Sequence, residues 1–121
     1  MNMASKDLIS SLRQQAEEDY KTAEDLYKSR HYHHALFFGQ LVLEKLNKIY
    51  DPIHDLKKLA SSAQLKLSKK QENEFDEITS FNISARYDTV KLEFYKKATP
   101  GFSRFWLNKI KEYKLWLENQ F

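Results

Sequence analysis

Residues 31–50, from His31 to Tyr50, read HYHHALFFGQLVLEKLNKIY, and this stretch decides the fold. Ala35, Phe38, Val42, Leu46 and Ile49 recur at the three- and four-residue spacing of one helical face. Leu36, Phe37, Leu41 and Leu43 fill most of the remaining circumference. A helix apolar on nearly every side belongs in the middle of a bundle, covered by neighbours. Its polar exceptions, Gln40, Glu44, Lys45 and Lys48, are expected where a partner group or solvent reaches them.

The flanking segments supply those neighbours. Before it, Leu8, Leu12, Ala16, Tyr20, Ala23 and Tyr27 form one stripe, predicting a helix from about Ser5 to Ser29. The short Arg30-His31 connection makes the two helices an antiparallel hairpin. After it, Asp51-Pro52 stops the central helix and opens a short one to about Gln64 that buries Ile53, Leu56, Leu59 and Ala60. Ser68-Lys69-Lys70-Gln71 reads as a capping box. It starts a fourth helix near Lys69 that turns Phe75, Ile78 and either Asn82 or Ile83 inward and frays near Tyr87-Asp88. Residues 88–99 show no steady period and predict a semi-ordered loop. Thr99-Pro100 caps the last helix, with Phe102, Trp106, Ile110, Tyr113 and Leu117 facing the core and Phe105 and Trp116 to one side. The expected fold is all-α: one domain over 1–121, an up-and-down bundle of about five helices.

Composition agrees. The 121 residues contain only two glycines and two prolines, as helical packing favours. With no cysteine, a disulfide scaffold and thiolate metal sites are excluded. No apolar run approaches membrane-spanning length and residues 1–11 lack a signal-peptide core, so the expectation is a soluble, cytoplasmic protein with no membrane partner. The net charge of +3 is uneven: residues 1–29 carry −2, residues 30–85 carry +1 and residues 86–121 carry +4. A basic C-terminal third attracts phosphates or an acidic partner, unless it is only a solvated helix face.

Among chemistry-bearing residues, His31, His33 and His34 cluster at a helix start. His33 and His34 point about 100° apart on a helix, and no carboxylate or thiolate stands at useful spacing, so the reading is a polar turn and no metal site. Asn82 and Arg86, four apart, share a helical face with Tyr87 adjacent. Arg offers a planar fork to phosphate, Asn a base or ribose contact, and Tyr a stacking surface. Tyr95, Lys96 and Lys97 follow and are placed to close over the same spot. The structural alternative is that Arg86 pairs with a carboxylate across the bundle while Asn82 caps a helix end.

Tyr32, Ala35, Gln40 and Glu44-Lys45, then His54-Asp55-Leu56, then Phe81-Asn82-Ile83-Ser84-Ala85-Arg86-Tyr87 and Phe94-Tyr95-Lys96-Lys97-Ala98 resemble, in order, the motifs of HEPN domains. The resemblance implies a helical bundle like nucleotidyltransferase substrate-binding subunits, and it sets His54 and Asp55 at the border of the Asn82–Arg86 site. Catalytic HEPN ribonucleases resemble one another in an Arg followed, after four to six residues, by His. Such a pair puts a positive charge and a general acid/base on one phosphodiester. This chain lacks it: Arg30 precedes His34 by too little, and no histidine follows Arg86. No catalytic residue and no cofactor are therefore expected. The resemblance implies a homodimer and a minimal nucleotidyltransferase partner in a two-component, toxin–antitoxin-like system, with a nucleotide or RNA as ligand. A ribonuclease-type or RNA-binding module, and a structural dimerisation domain using Phe105, Trp116 and Phe121, stand as alternatives. Only eight residues separate Lys45 from His54, where HEPN relatives carry a longer loop.

Overall fold

The structure, a computed structural model, describes residues 6–50, 68–86 and 88–119, without the side chains of 50, 85, 86 and 88–91. The helix expected over 52–64 lies outside the described residues, as does Phe121. The described residues form five helices: α1 (Lys6–Lys28), α2 (Tyr32–Tyr50), α3 (Lys69–Arg86), α4 (Asp88–Lys97) and α5 (Pro100–Glu118). Helix α2 packs against all four others. None of these helices is long and apolar enough to cross a membrane.

Helix α2 is central because its sequence leaves no wet face. Ala35, Leu36, Val42, Leu43, Leu46 and Ile49 are fully buried. Gly39 is what lets α5 come close. A Cβ there would stand 2.7 Å from Ile110 Cδ1 and 3.2 Å from Leu107 Cδ2. Between α1 and α2 the chain reverses in three residues. Arg30 N–H donates to Tyr27 O (3.0 Å) and His31 N–H to Leu26 O (2.8 Å), the paired bonds of a Schellman turn. The pattern puts Arg30 in the left-handed region, φ 67°, where a Cβ costs roughly 1 kcal/mol.

Both predicted caps form. Ser68 Oγ accepts from Gln71 N–H (3.1 Å) and Gln71 Oε1 accepts from Ser68 N–H (2.9 Å). Thr99 Oγ1 accepts from Phe102 N–H (3.2 Å), with Pro100 in the first turn.

One expectation is corrected and one alternative decided. Residues 88–97 form helix α4 rather than a loop. Ten residues make fewer than three turns, too few for a clear periodic signal, and among the described side chains Phe94 and the following Ala98 are buried. On α3 Phe75 and Ile78 are buried as expected and Asn82, not Ile83 (57% exposed), turns toward α2, while Phe81 joins the buried series. Phe81 stacks on Phe94 at 5.5 Å and meets Phe102 and Trp106 edge-on at 6.3 and 5.9 Å, which ties α3, α4 and α5 together. In α5, Ile110, Tyr113 and Leu117 are buried as expected, joined by Leu107, while Phe102, Trp106 and Trp116 pack partly buried against the core. Phe105 stays half exposed.

Candidate functional site

The polar groups of the bundle fall into two populations. In the first, each charge is met by an opposite one. Along the α1–α5 seam, Arg104 grips Glu24 with both terminal nitrogens (3.0 and 2.7 Å) and lies 4.1 Å over the Tyr27 ring. These bonds hold Glu24 below the ordinary carboxylate range despite burial. Lys114, only 7% exposed, bridges Glu17 (2.7 Å) and Glu118 (2.9 Å). Burial opposes its charge, but the two carboxylates outweigh that and its pKa is raised. Between α3 and α5, Glu74 accepts from Tyr113 Oη (2.6 Å) and pairs with Lys109 (3.2 Å). Burial works against its charge, yet those two bonds hold its pKa down. Burial and the same Glu74 bond push the Tyr113 phenol up.

Asn82 belongs to this population. Its Nδ2 donates to Gln40 Oε1 (3.1 Å) and Glu44 Oε2 (3.4 Å), and Gln40 Nε2 donates to the same Glu44 oxygen (3.2 Å). Gln40 and Glu44 of α2 are thus met by α3, and Lys45 by Asp19 of α1. A half-buried amide engaged by two partners ties helices together and is poorly placed to release them for a ligand. Arg86 closes α3, but its side chain, together with Tyr87, His54 and Asp55, lies outside the described residues.

The second population is a cleft of about 470 Å³ where the α1–α2 turn meets the end of α4. Arg30, His31 and His33 line one wall; Tyr95, Lys96 and Thr99 line the other. No carboxylate is among its described lining residues, and neither Arg30 nor Lys96 has an ion-pair partner among the described residues. The His33 ring meets the Tyr95 ring edge-on at 5.0 Å and lies 3.9 Å from the His34 ring, which stands 6.2 Å from His31. Tyr95 remains 61% exposed, so a ring face is open. The larger cleft, about 550 Å³ between α3 and α5, sets Lys70 and Lys109 against Glu74 and Glu112, and Lys109 pairs with both carboxylates. Size and charge therefore point to different clefts, and charge is the better guide to an anion site, because neutralised cations exert little field.

The structure thus places Tyr95 and Lys96 with Arg30, His31 and His33 rather than over Asn82. Lys97 turns away to pair with Glu77 (3.0 Å). Sequence alone did not place the turn residues beside Tyr95 and Lys96. The signal was the run Arg30-His31-Tyr32-His33-His34, five cationic or aromatic residues at a helix start; what hid it was the separation of more than sixty residues from Tyr95. No group of three His, Cys, Asp or Glu among the described residues is placed to hold a metal ion.

Neither a curated protein nor a solved structure matches the chain. Residues 9–119, nearly its whole length, match the HEPN domain, and this span carries α2, the Gln40–Glu44–Asn82 seam and the cleft alike. The chain belongs to the HEPN domain family.

Proposed function

We propose that this protein is a non-catalytic HEPN domain that binds a nucleotide by its phosphates and pairs with a minimal nucleotidyltransferase as one half of a two-component, toxin–antitoxin-like system. The observation that carries the reading is the cleft at the α1–α2 turn, where Arg30 and Lys96 meet no carboxylate among the described residues and stand beside an exposed Tyr95 ring. Cations left unpaired at a protein surface attract phosphate, and an exposed aromatic face accepts a base. The lack of the Arg–His cleavage pair favours binding over hydrolysis. Homodimerisation through exposed apolar residues such as Phe105 and Leu115 belongs to the same proposal.

The test is a calorimetric titration of the purified protein with ADP at low and moderate salt. The reading expects saturable binding that weakens as salt rises and falls about tenfold or more on Lys96→Ala, the scale of one charge-assisted contact. No saturable ADP binding, or binding unchanged by Lys96→Ala, contradicts it. A nucleotidyltransferase co-purifying with the tagged protein at moderate salt supports the partner assignment. Recovery of RNA without a protein partner favours an RNA-binding module instead.

A further inference from the structure

Helix α5 carries a second stripe on the side away from the core. Leu107, Ile110 and Leu117 face inward, whereas Gly101, Phe105, Asn108, Glu112, Leu115 and Asn119 are exposed. These six recur at alternating steps of four and three residues, the spacing with which one helix lies along another. A stripe that meets only water is expected to be polar, yet Phe105 and Leu115 in it are 51% and 50% exposed. We propose that this stripe is the contact between two copies of the chain, their α5 helices antiparallel about a two-fold axis level with Ile110. This rests on the homodimer part of the proposed function and adds to it the face, the direction and the register.

The direction follows from the sequence of the stripe, which is its own complement when reversed. Residues equally far from position 110 become neighbours. Phe105 then meets the partner's Leu115, Asn108 meets the partner's Glu112, and Gly101 meets the partner's Asn119. The two-fold axis makes each contact twice. Parallel alignment would instead set Glu112 against the partner's Glu112, a like-charge pair inside the seam. Antiparallel alignment replaces that repulsion with an amide–carboxylate contact and lets the two helix dipoles attract.

The side chains are arranged for this pairing. Asn108 Oδ1 accepts from Arg104 (3.3 Å), which leaves its Nδ2 to donate to a carboxylate. Glu112 is 70% exposed at its side chain, and its contact with Lys109, at 3.7 Å, is a loose surface pair. A Cβ on Gly101 would meet nothing within 4 Å, in contrast to Gly39, whose Cβ would run into α5. Packing within the chain therefore does not require a glycine at 101, where it costs helix propensity; a second helix lying close does. Lys111, exposed at the edge, comes opposite the partner's Lys111, in solvent where salt screens the repulsion. Two apolar contacts, each made twice, are a small interface, so the dimer belongs to the transient class.

Sedimentation equilibrium of the intact protein, up to about 1 mM, is expected to show monomer and dimer in exchange. Phe105→Glu and Leu115→Glu should each weaken association about tenfold or more with the helical signal unchanged, because both positions are half exposed in the monomer. Where a Glu variant loses helical signal, Leu115→Gln replaces it. The register is read with thiols, since the chain has no cysteine of its own. Oxidising an equal mixture of the Asn108→Cys and Glu112→Cys proteins should give the mixed disulfide dimer ahead of either homodimer. Preferred homodimers overturn the antiparallel register. A dimer untouched by both substitutions to Glu overturns the seam and leaves homodimerisation standing. A monomer over the whole range overturns both and leaves nucleotide binding standing.

Discussion

Two regions with much the same residue types behave differently. Along the α1–α5 and α2–α3 seams, Glu17, Glu24, Lys114, Arg104 and Asn82 are each met by a partner on another helix. At the α1–α2 turn, Arg30 and Lys96 meet no carboxylate among the described residues. A charge satisfied by its own chain contributes to the fold and little to recognition, because a ligand would have to displace the partner already there. A charge left unmet costs little while solvated and stays available. The difference separates the polar residues that hold the bundle from those the proposed function draws on.

The comparison is most strongly tested by acid. Glu17, Glu24 and Glu74 are held below the ordinary value of 4.5, the first two chiefly by bonds from Lys114 and Arg104 and the third by Tyr113 and Lys109 against the effect of burial. Their contribution is complete above pH 4.5 and lost as pH falls through their lower folded values. Thermal melts from pH 7 to 2.5 should show the melting temperature dropping steeply only below about 4.5. A drop centred between pH 6 and 7 would mean that histidines, not the seam carboxylates, hold the bundle.

A smaller effect comes from one seam cation. Lys114→Ala leaves Glu17 and Glu118 close together without their shared partner. Both carboxylates keep some solvent, so the loss should be about 2 kcal/mol, below the figure for a fully buried pair, measured by urea unfolding. A change below 0.5 kcal/mol would place Lys114 among surface lysines.

Smallest and opposite in sign is Arg30→Gly. It relieves the left-handed backbone at φ 67° while deleting a cleft cation. Stability should rise by about 0.5 kcal/mol in urea unfolding, while ADP affinity falls. Lower stability would show that the Arg30 side chain, and not only its backbone, supports the turn.

How far the sequence reached depends on the range of the physics involved. Helices α1, α2 and α5 were legible because each repeats its apolar residues over five or more turns, and the caps at Ser68 and Thr99 because they act within three residues. Helix α4 was not, since its ten residues make fewer than three turns, too few to build a period. Phe81 was passed over because its partners Phe94, Phe102 and Trp106 come from two later helices. The candidate cleft was legible only in part: Tyr95 and Lys96 stand out in the sequence, but their convergence on Arg30 and His33 depends on tertiary packing. Asn82 looked like a ligand residue by its spacing from Arg86, and only the placement of Gln40 and Glu44 across the helix pair reveals its structural engagement.

The most direct measurement sets Asn82→Ala beside Lys96→Ala and reads melting temperature and ADP affinity for both. Asn82→Ala should lower stability by about 1 kcal/mol and leave ADP affinity within twofold, whereas Lys96→Ala should leave melting unchanged and weaken ADP binding about tenfold or more. The reverse pattern, with Asn82→Ala abolishing binding in a fully stable protein and Lys96→Ala binding normally, would return the site to the α3 face and contradict the division drawn here.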